Sequence, residues 1–393
     1  MTVKVKGCRK RSSAPFCRLC AALALILCMF ITLPAGADGE VRALWVVRNC
    51  ITTPQTVREV VDFADSCGFN LLFVQVRGRG DAYYQSYFVP GPEECPDIPE
   101  NFDPLALIIE LAHARDIEVH AWFNMFLAAS IQNPPQNPLH LFNIHPSWFM
   151  VSSDEKNMAL DPPSSFDNTI EGAYLSPGMD EVQSYLSRVI TEVIVSYDID
   201  GVHMDYIRFP GRSFDFNYRT RNRFFTMYGV DPAELVAEGD SVVQTFTLLE
   251  EWHHFRVRQV DEMVRNITRR ITASGKRIQL SAAIRPEAQE AYWEFGQNWV
   301  GWLRENLVDF VVPMCYYPQT DVVADVLADI PPDIDRKRVI GGLGAYRLTP
   351  DVLGEQIALT QRMGLSGFSL FSYSSLAGDP AFTRALTSLP ENW

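Results

Sequence analysis

Residues 200–210 combine a short apolar strand with side chains that can carry out chemistry. Asp205, Tyr206 and Arg208 follow at the point where the strand should end. A helical pattern precedes the strand, and α/β enzymes build their active sites from polar residues at the carboxyl ends of buried strands. The pattern therefore predicts an active site that contains Asp205. A purely structural ion pair between Asp205 and a nearby arginine is the alternative.

Eight apolar runs of strand length recur along the chain, with helical patterns between them. They are Val41–Val47, Asn70–Val76, Glu118–Phe123, Gly201–Asp205, Ile278–Ile284, Phe310–Cys315, Val339–Leu343 and Gly367–Phe371. Strands that alternate with helices indicate a parallel sheet, and eight such units predict a (β/α)8 TIM barrel. Segments 124–179 and 211–240 are predicted to be insertions after the third and fourth strands. An open doubly wound sheet is the alternative, which the lack of a Gly-x-Gly-x-x-Gly turn after the first strand disfavours.

The amino terminus has the pattern of an export signal. Basic residues precede an apolar run from Cys20 to Leu33, and Pro34-Ala-Gly-Ala37 has the small-x-small form of a leader-peptidase site. The apolar run is shorter than the ~20 residues that a membrane-spanning helix needs. We expect residues 1–37 to be a signal peptide and 38–393 to be a single domain in the periplasm or outside the cell. An uncleaved leader or a lipid anchor is the alternative.

Charge and cysteine usage narrow the choice of partners. The formal net charge is −14, and the predicted leader contributes only positive charges to it. An exported acidic protein is not expected to bind nucleic acid or an anionic membrane surface. Beyond the leader the cysteines are scattered and form no Cys-x-x-Cys pair, so the sequence suggests neither a zinc site nor a disulfide scaffold. We expect no metal and no other cofactor. The sequence does not predict the oligomeric state.

A barrel brings the carboxyl ends of its strands together, so the residues near those ends define the candidate site. The predicted substrate-binding residues are Arg48, Gln75, Arg77, His120, Trp122, Asn124, His203, Tyr206, Arg208, Arg285, Tyr316, Tyr317, Tyr346 and Tyr373. Apolar faces of sugar rings stack on aromatic side chains, and sugar hydroxyls bind charged and amide groups. This composition predicts an oligosaccharide groove rather than a phosphate or hydride site. For any single aromatic residue, a role in capping the barrel core is the alternative.

Six short motifs occur in order along the chain. They are Leu44-Trp-Val46, Phe73-Val-Gln-Val-Arg77 with Gly80-Asp81, His120-Ala-Trp-Phe-Asn124, His145-Pro-Ser-Trp-Phe149, Tyr197-Asp-Ile-Asp-Gly-Val-His-Met-Asp205 and Gly341-Gly-Leu-Gly-Ala-Tyr-Arg347. Together they resemble the glycosyl hydrolase-like family 10 proteins of bacteria, over residues 40–389. The resemblance implies an exported barrel that acts on glycans, with peptide-stripped cell-wall glycan as one substrate class. In one relative a second Asp follows the fourth-strand Asp, where this chain has Tyr206.

Glycoside hydrolysis generally needs two carboxyl groups, ~5 Å apart for retention or ~6.5–9.5 Å apart for inversion. One must be protonated and the other ionised. Asp205, with Arg208 beside it and Arg77 expected nearby, is predicted to stay ionised and to act as nucleophile or base. A loose resemblance to α-amylases makes Glu287, after the fifth strand, the leading candidate for the acid. Asp81 is the rival candidate.

Two other functions compete with a glycosidase or lytic enzyme. One is a non-catalytic glycan-binding barrel, which would lack a partner carboxylate near Asp205. The other is an ester or amide hydrolase that uses Asp205 with His120 or His203. That enzyme would need a Ser or Cys nucleophile beside a histidine, and the chain has no Gly-x-Ser-x-Gly elbow.

Overall fold

The computed structural model describes residues 39–95, 98–99, 101–237 and 243–389. The predicted leader, residues 1–37, therefore lies outside the described residues, and its cleavage stays a prediction. From Glu40 onward the chain forms one compact unit. Within the described ranges, none of the helices combines the length and the apolar character needed to cross a membrane.

Eight parallel strands close into a barrel, which confirms the predicted fold. In chain order the strands of the structure are β1 Val41–Val46, β2 Leu71–Arg77, β3 Glu118–Asn124, β4 Leu127–Ala129, β5 Ala173–Tyr174, β6 Gly201–Asp205, β7 Gln279–Ile284, β8 Phe310–Cys315, β9 Ile340–Leu343 and β10 Gly367–Leu370. Around the barrel the order is β1, β2, β3, β6, β7, β8, β9 and β10, which pairs again with β1. Consecutive barrel strands are thus neighbours, as the alternation of strands and helices predicts.

Helices occupy much of the chain between the barrel strands. They are α1 Pro54–Ser66, α2 Pro104–His113, α3 Leu141–Ile144, α4 Asp180–Ser196, α5 Tyr218–Tyr228, α6 Pro232–Ala237, α7 Val243–Ser274, α8 Ala288–Trp293, α9 Trp299–Arg304, α10 Thr320–Ala328, α11 Pro350–Arg362, α12 Tyr373–Leu376 and α13 Pro380–Thr387. Helices α1, α2 and α11 begin alike, with proline at the first position after a capping Thr53, Asp103 or Thr349. The cap side chain accepts a backbone N–H that the helix leaves free, and proline lacks an N–H there.

Two histidines fill the barrel interior beneath the carboxyl ends of the strands. His203 stacks on Phe73 with ring centroids 4.0 Å apart, and Trp45 Nε1 donates a hydrogen bond to His203 Nε2 over 3.3 Å. Burial holds the pKa of His203 well below its usual value, so the ring is neutral. His120 is also fully buried. We therefore correct the prediction that His120 and His203 bind substrate, because both belong to the core.

The two long segments after β3 and β6 add structure at the carboxyl end of the barrel. In the first, β4 and β5 form a small antiparallel sheet. In the second, α6 packs against the long helix α7, and α5 contacts α7 through the Phe224 ring. An aromatic cluster of Phe216, Phe224, Trp252 and Phe255 holds that contact together.

Candidate active site

A cavity of about 750 Å³ lies at the carboxyl ends of the barrel strands. It contains the predicted residues Arg48, Gln75, Trp122, Asn124, Asp205, Tyr206, Arg208, Arg285, Tyr316, Tyr317 and Tyr346 in its lining. The sequence-based site list did not include Trp45, Val47, Arg79, Leu127, Glu171, Ala283, Met314, Arg347 and Phe371, which complete the lining. The volume is in the range of ~300–1,000 Å³ that is typical of small-molecule sites.

Asp205 ends β6 and is almost completely buried in the cavity wall. Its Oδ1 accepts a hydrogen bond from the backbone N–H of Tyr206 over 2.7 Å. Tyr206 has a φ of 49°, a left-handed conformation that is uncommon outside glycine, so the chain turns sharply directly after the carboxylate. Strained backbone of this kind clusters at functional sites.

The environment of Asp205 differs from the one predicted. Burial raises the pKa of Asp205 to about 6, and the opposing effects of Arg208, the Tyr206 N–H and Trp122 only partly offset it. We expected neighbouring arginines to keep Asp205 fully ionised. Arg208, however, donates its hydrogen bond to Glu171, and Arg77 donates to the backbone carbonyl groups of Asn124 and Met125.

Glu171 lines the same cavity and was not predicted. Arg208 Nη2 donates to its Oε1 over 2.9 Å, and the Tyr174 hydroxyl donates to its Oε2 over 2.9 Å. Burial alone would raise the pKa of Glu171, but Arg208 and Tyr174 outweigh it and leave the pKa below its usual value. The cavity therefore holds two carboxyl groups whose pKa values are shifted in opposite directions.

The structure does not bring the two predicted partner carboxylates into this cavity. Glu287 precedes α8, and its Oε1 accepts a hydrogen bond from the Tyr317 hydroxyl over 2.8 Å. Asp81 Oδ1 accepts the backbone N–H groups of Gly78 and Arg79, and Asp81 lines a separate pocket of about 250 Å³. Glu287 thus contacts a tyrosine that follows the next barrel strand, β8, whereas Asp81 contacts its own turn after β2.

Two further predicted substrate-binding residues also lie elsewhere. Arg77 is buried under the strand ends and is held by backbone carbonyl groups of the chain after β3. Tyr373 packs edge-on against Phe63 of α1, with ring centroids 5.5 Å apart, outside the barrel. We correct both assignments, because neither side chain belongs to the cavity lining.

Aromatic rings and arginines make up much of the cavity wall. Trp45, Tyr316 and Phe371 contact one another as tilted or edge-on rings with centroids 5.6–6.3 Å apart. Two arginines of the lining, Arg208 and Arg285, lie 5.4 Å and 4.8 Å from the centroid of the Phe295 ring. Flat apolar rings beside fixed hydrogen-bond donors suit a ligand with apolar faces and many oxygen atoms.

The chain is similar to proteins of a known family. The glycosyl hydrolase-like 10 family model matches residues 40–336. The chain belongs to this family. The predicted resemblance is therefore confirmed.

Relatives in the family are distant in sequence. Glycosyl hydrolase YngK of Bacillus subtilis is 24% identical over 394 positions, which cover 88% of this chain and 70% of YngK. Glycosyl hydrolase DigH of Escherichia coli strain CFT073 is 24% identical and covers 86% of this chain and 80% of DigH. The PgaB (BpsB) glycoside hydrolase domain of Bordetella bronchiseptica shares the fold, with a TM-score of 0.68, 14% identity and coverage of 88% and 98% of the two chains.

The one carboxylate that sequence reasoning missed has a physical explanation. In this glycosyl hydrolase-like 10 chain, Glu171 lies in the segment between β3 and α4, directly before β5. It reaches the cavity because the β4–β5 sheet folds that segment back over the strand ends. An acidic residue in an insertion predicted at the barrel mouth was the only available signal.

Proposed function

We propose that the protein is an exported enzyme that cleaves glycosidic bonds in bacterial cell-wall glycan or a related polysaccharide. One observation carries the proposal: Asp205 and Glu171 line a single cavity, and their pKa values are shifted apart. Glycoside hydrolysis uses one carboxyl that can donate a proton and one that is ionised. Membership of the glycosyl hydrolase-like 10 family supports the reaction class.

The pKa shifts support a different role for each carboxyl. Asp205, with a pKa raised to about 6, protonates the glycosidic oxygen as the bond to the anomeric carbon breaks. Glu171 stays ionised, stabilises positive charge on the sugar ring and accepts a proton from the attacking water. The water oxygen then bonds to the anomeric carbon, and the leaving sugar keeps the proton from Asp205.

Surrounding residues are proposed to bind the saccharide. Trp122, Tyr206, Tyr316 and Tyr346 offer ring faces or edges, and Gln75 and Asn124 offer amide groups. Cell-wall glycan as the substrate rests on the motif resemblance described above. The pattern of residues 1–37 supports export to the periplasm or the cell surface.

The test is release of soluble saccharide from amidase-stripped peptidoglycan by the purified protein. Asp205→Asn and Glu171→Gln are expected to lower the rate by about 10²-fold or more. Glu287→Gln and Asp81→Asn are matched controls, expected to keep most of the activity. Loss of activity in Glu287→Gln alone would restore Glu287 as the acid. Binding without cleavage by the wild-type protein, across a panel of polysaccharides, would favour a non-catalytic glycan-binding barrel.

A further inference from the structure

Two arginines at one edge of the cavity hold the same carboxylate. Arg48 Nη2 donates to Glu94 Oε2 over 3.0 Å, and Arg79 Nη1 donates to Glu94 Oε1. Arg48 and Arg79 line the cavity that contains Asp205, whereas Glu94 lines the smaller pocket beside it. Arg79 belongs to both linings, so the Glu94 carboxylate lies at the boundary between the two spaces.

The position of Arg48 is fixed by contacts other than Glu94. Arg48 Nη1 donates to Gln75 Oε1 over 3.1 Å, and Gln75 Nε2 donates to Asn124 Oδ1 over 3.2 Å. The Arg48 side chain also lies against Gly78, where a Cβ would come within 2.5 Å of Arg48 Cδ. A guanidinium held in this way is prepared to bind a planar anion.

Glu94 is held far less firmly than Arg48. Its side chain is 48% exposed, against 14% for Arg48. Within the described part of the chain, its hydrogen bonds to side chains are those to the two arginines. Exposed ion pairs contribute little and exchange readily with other charges. A second carboxylate that enters from the cavity can therefore take over both arginines.

The charge of the cavity lining favours the entry of a carboxylate. The lining holds five arginines, Arg48, Arg79, Arg208, Arg285 and Arg347, against the carboxyls of Asp205 and Glu171. The chain as a whole carries a net charge of −14, so this excess of positive charge is local. A cleft whose lining is mainly of one sign of charge concentrates ligands of the opposite sign.

We propose that Arg48 and Arg79 form a subsite for a carboxylate substituent of the saccharide, and that Glu94 occupies this subsite in the present structure. The inference rests on the proposed function and adds the substrate class: an acidic glycan rather than a neutral one. The bound substituent displaces Glu94 and accepts hydrogen bonds from both guanidinium groups.

The test compares two forms of one glycan. Amidase-stripped strands are used with free carboxyls and, in parallel, with those carboxyls converted to amides. Dissociation constants are measured for the full-length protein that carries Asp205→Asn, so that cleavage does not interfere. Arg79→Gln in this background should weaken binding of the free-carboxyl strands roughly tenfold and leave the amidated strands within about twofold. Glu94→Gln should tighten binding of the free-carboxyl strands severalfold.

Glu93→Gln is the matched control for Glu94→Gln. The Glu93 carboxylate accepts backbone N–H groups of Gln136 and Asn137, and among the described residues it forms no ion pair with either arginine. Glu93→Gln should therefore leave the affinities for the free-carboxyl and the amidated strands unchanged. Equal binding of the two strand forms, with cleavage by the wild-type protein intact, would overturn the subsite and leave the proposed function standing. Failure of the wild-type protein to bind or cleave either form would overturn both.

Discussion

Arg208 Nη2 donates a hydrogen bond to Glu171 Oε1 over 2.9 Å and thereby joins the chain after β6 to the segment after β3. The guanidinium carbon of Arg208 lies 4.9 Å from the centre of the ring of Tyr206, the residue that follows Asp205. Arg208 lowers the pKa of both carboxyls, but only Glu171 receives its hydrogen bond. Burial therefore prevails at Asp205 and not at Glu171, and the two pKa values separate.

The separation of these pKa values predicts an acidic pH optimum. Asp205 donates a proton only when protonated, so kcat/KM should fall about tenfold per pH unit above pH 6. Glu171 must be ionised, so activity should also fall below its lowered pKa, under the usual 4.5. The measurement is a profile of kcat/KM from pH 3.5 to 8, with stability checked at each pH. Activity that rises through pH 6 would instead make Asp205 a base.

The buried charge of Asp205 predicts that its removal stabilises the fold. The folded-state pKa of about 6 exceeds the ordinary value of 3.8, so the folded state loses stability as pH rises through this window. Asp205→Asn should raise the free energy of unfolding by up to about 3 kcal/mol at pH 8 and leave it nearly unchanged below pH 4. Thermal unfolding at both pH values measures this difference.

Asp81→Asn is the control for this effect. The Asp81 carboxylate accepts two backbone N–H groups near the turn after β2, so its loss should lower stability at neutral pH. If Asp205→Asn is also destabilising at pH 8, then the Asp205 carboxylate is better solvated than its burial implies.

The barrel was predictable because each of its eight strands is an apolar run that can be recognised in the sequence. Each apolar run needs only its neighbours in sequence to be recognised, and parallel pairing follows from the helices between them. The depth of a side chain inside the barrel was not predictable. His203 and Asp205 are two residues apart in β6, so their side chains point to the same face of the strand. His203 nevertheless lies in the core, whereas Asp205 lines the cavity.

The position of Glu171 in the cavity was not predicted, for a different reason. Glu287 and Asp81 directly follow strands, where a catalytic residue is expected, but a tyrosine hydroxyl and two backbone N–H groups hold them in place. Glu171 reaches the cavity through the path of a long inserted segment. Sequence periodicity carries no information about such a path.

Removal of Glu171 should change the pH profile as well as the rate. The negative charge of Glu171 raises the pKa of Asp205, and Glu171→Gln also frees Arg208 to lower it further. We expect residual activity whose upper pH limb lies below that of the wild-type protein. Because Arg208 would be left buried without its anion, stability should fall by about 1–2 kcal/mol.

Glu290→Gln provides the comparison for Glu171→Gln. Glu290 lies 3.5 Å from Arg285, another arginine of the cavity, and its side chain is 44% exposed. Its removal should change neither the pH profile nor the stability measurably. If the fall in activity at high pH is unchanged in Glu171→Gln, the carboxyls of Asp205 and Glu171 do not interact.

The core role of His120 predicts a coupling with Gly201 of β6. A Cβ at Gly201 would lie 2.4 Å from the His120 ring, closer than any real contact. Gly201→Ala should therefore destabilise the fold by about 1–3 kcal/mol through overpacking. In the double variant with His120→Ala the added methyl group meets no ring, so the combined loss should be smaller than the sum of the single losses.

Chemical denaturation of the two single variants and the double variant measures this coupling. Gly354→Ala in α11 is the control, since a Cβ there meets no atom within 4 Å. Alanine is the better helix former, so that variant should gain up to about 1 kcal/mol. If the losses from Gly201→Ala and His120→Ala are additive, the imidazole does not fill the space above Gly201. His120 would then have to be reconsidered as a residue that can turn toward the cavity.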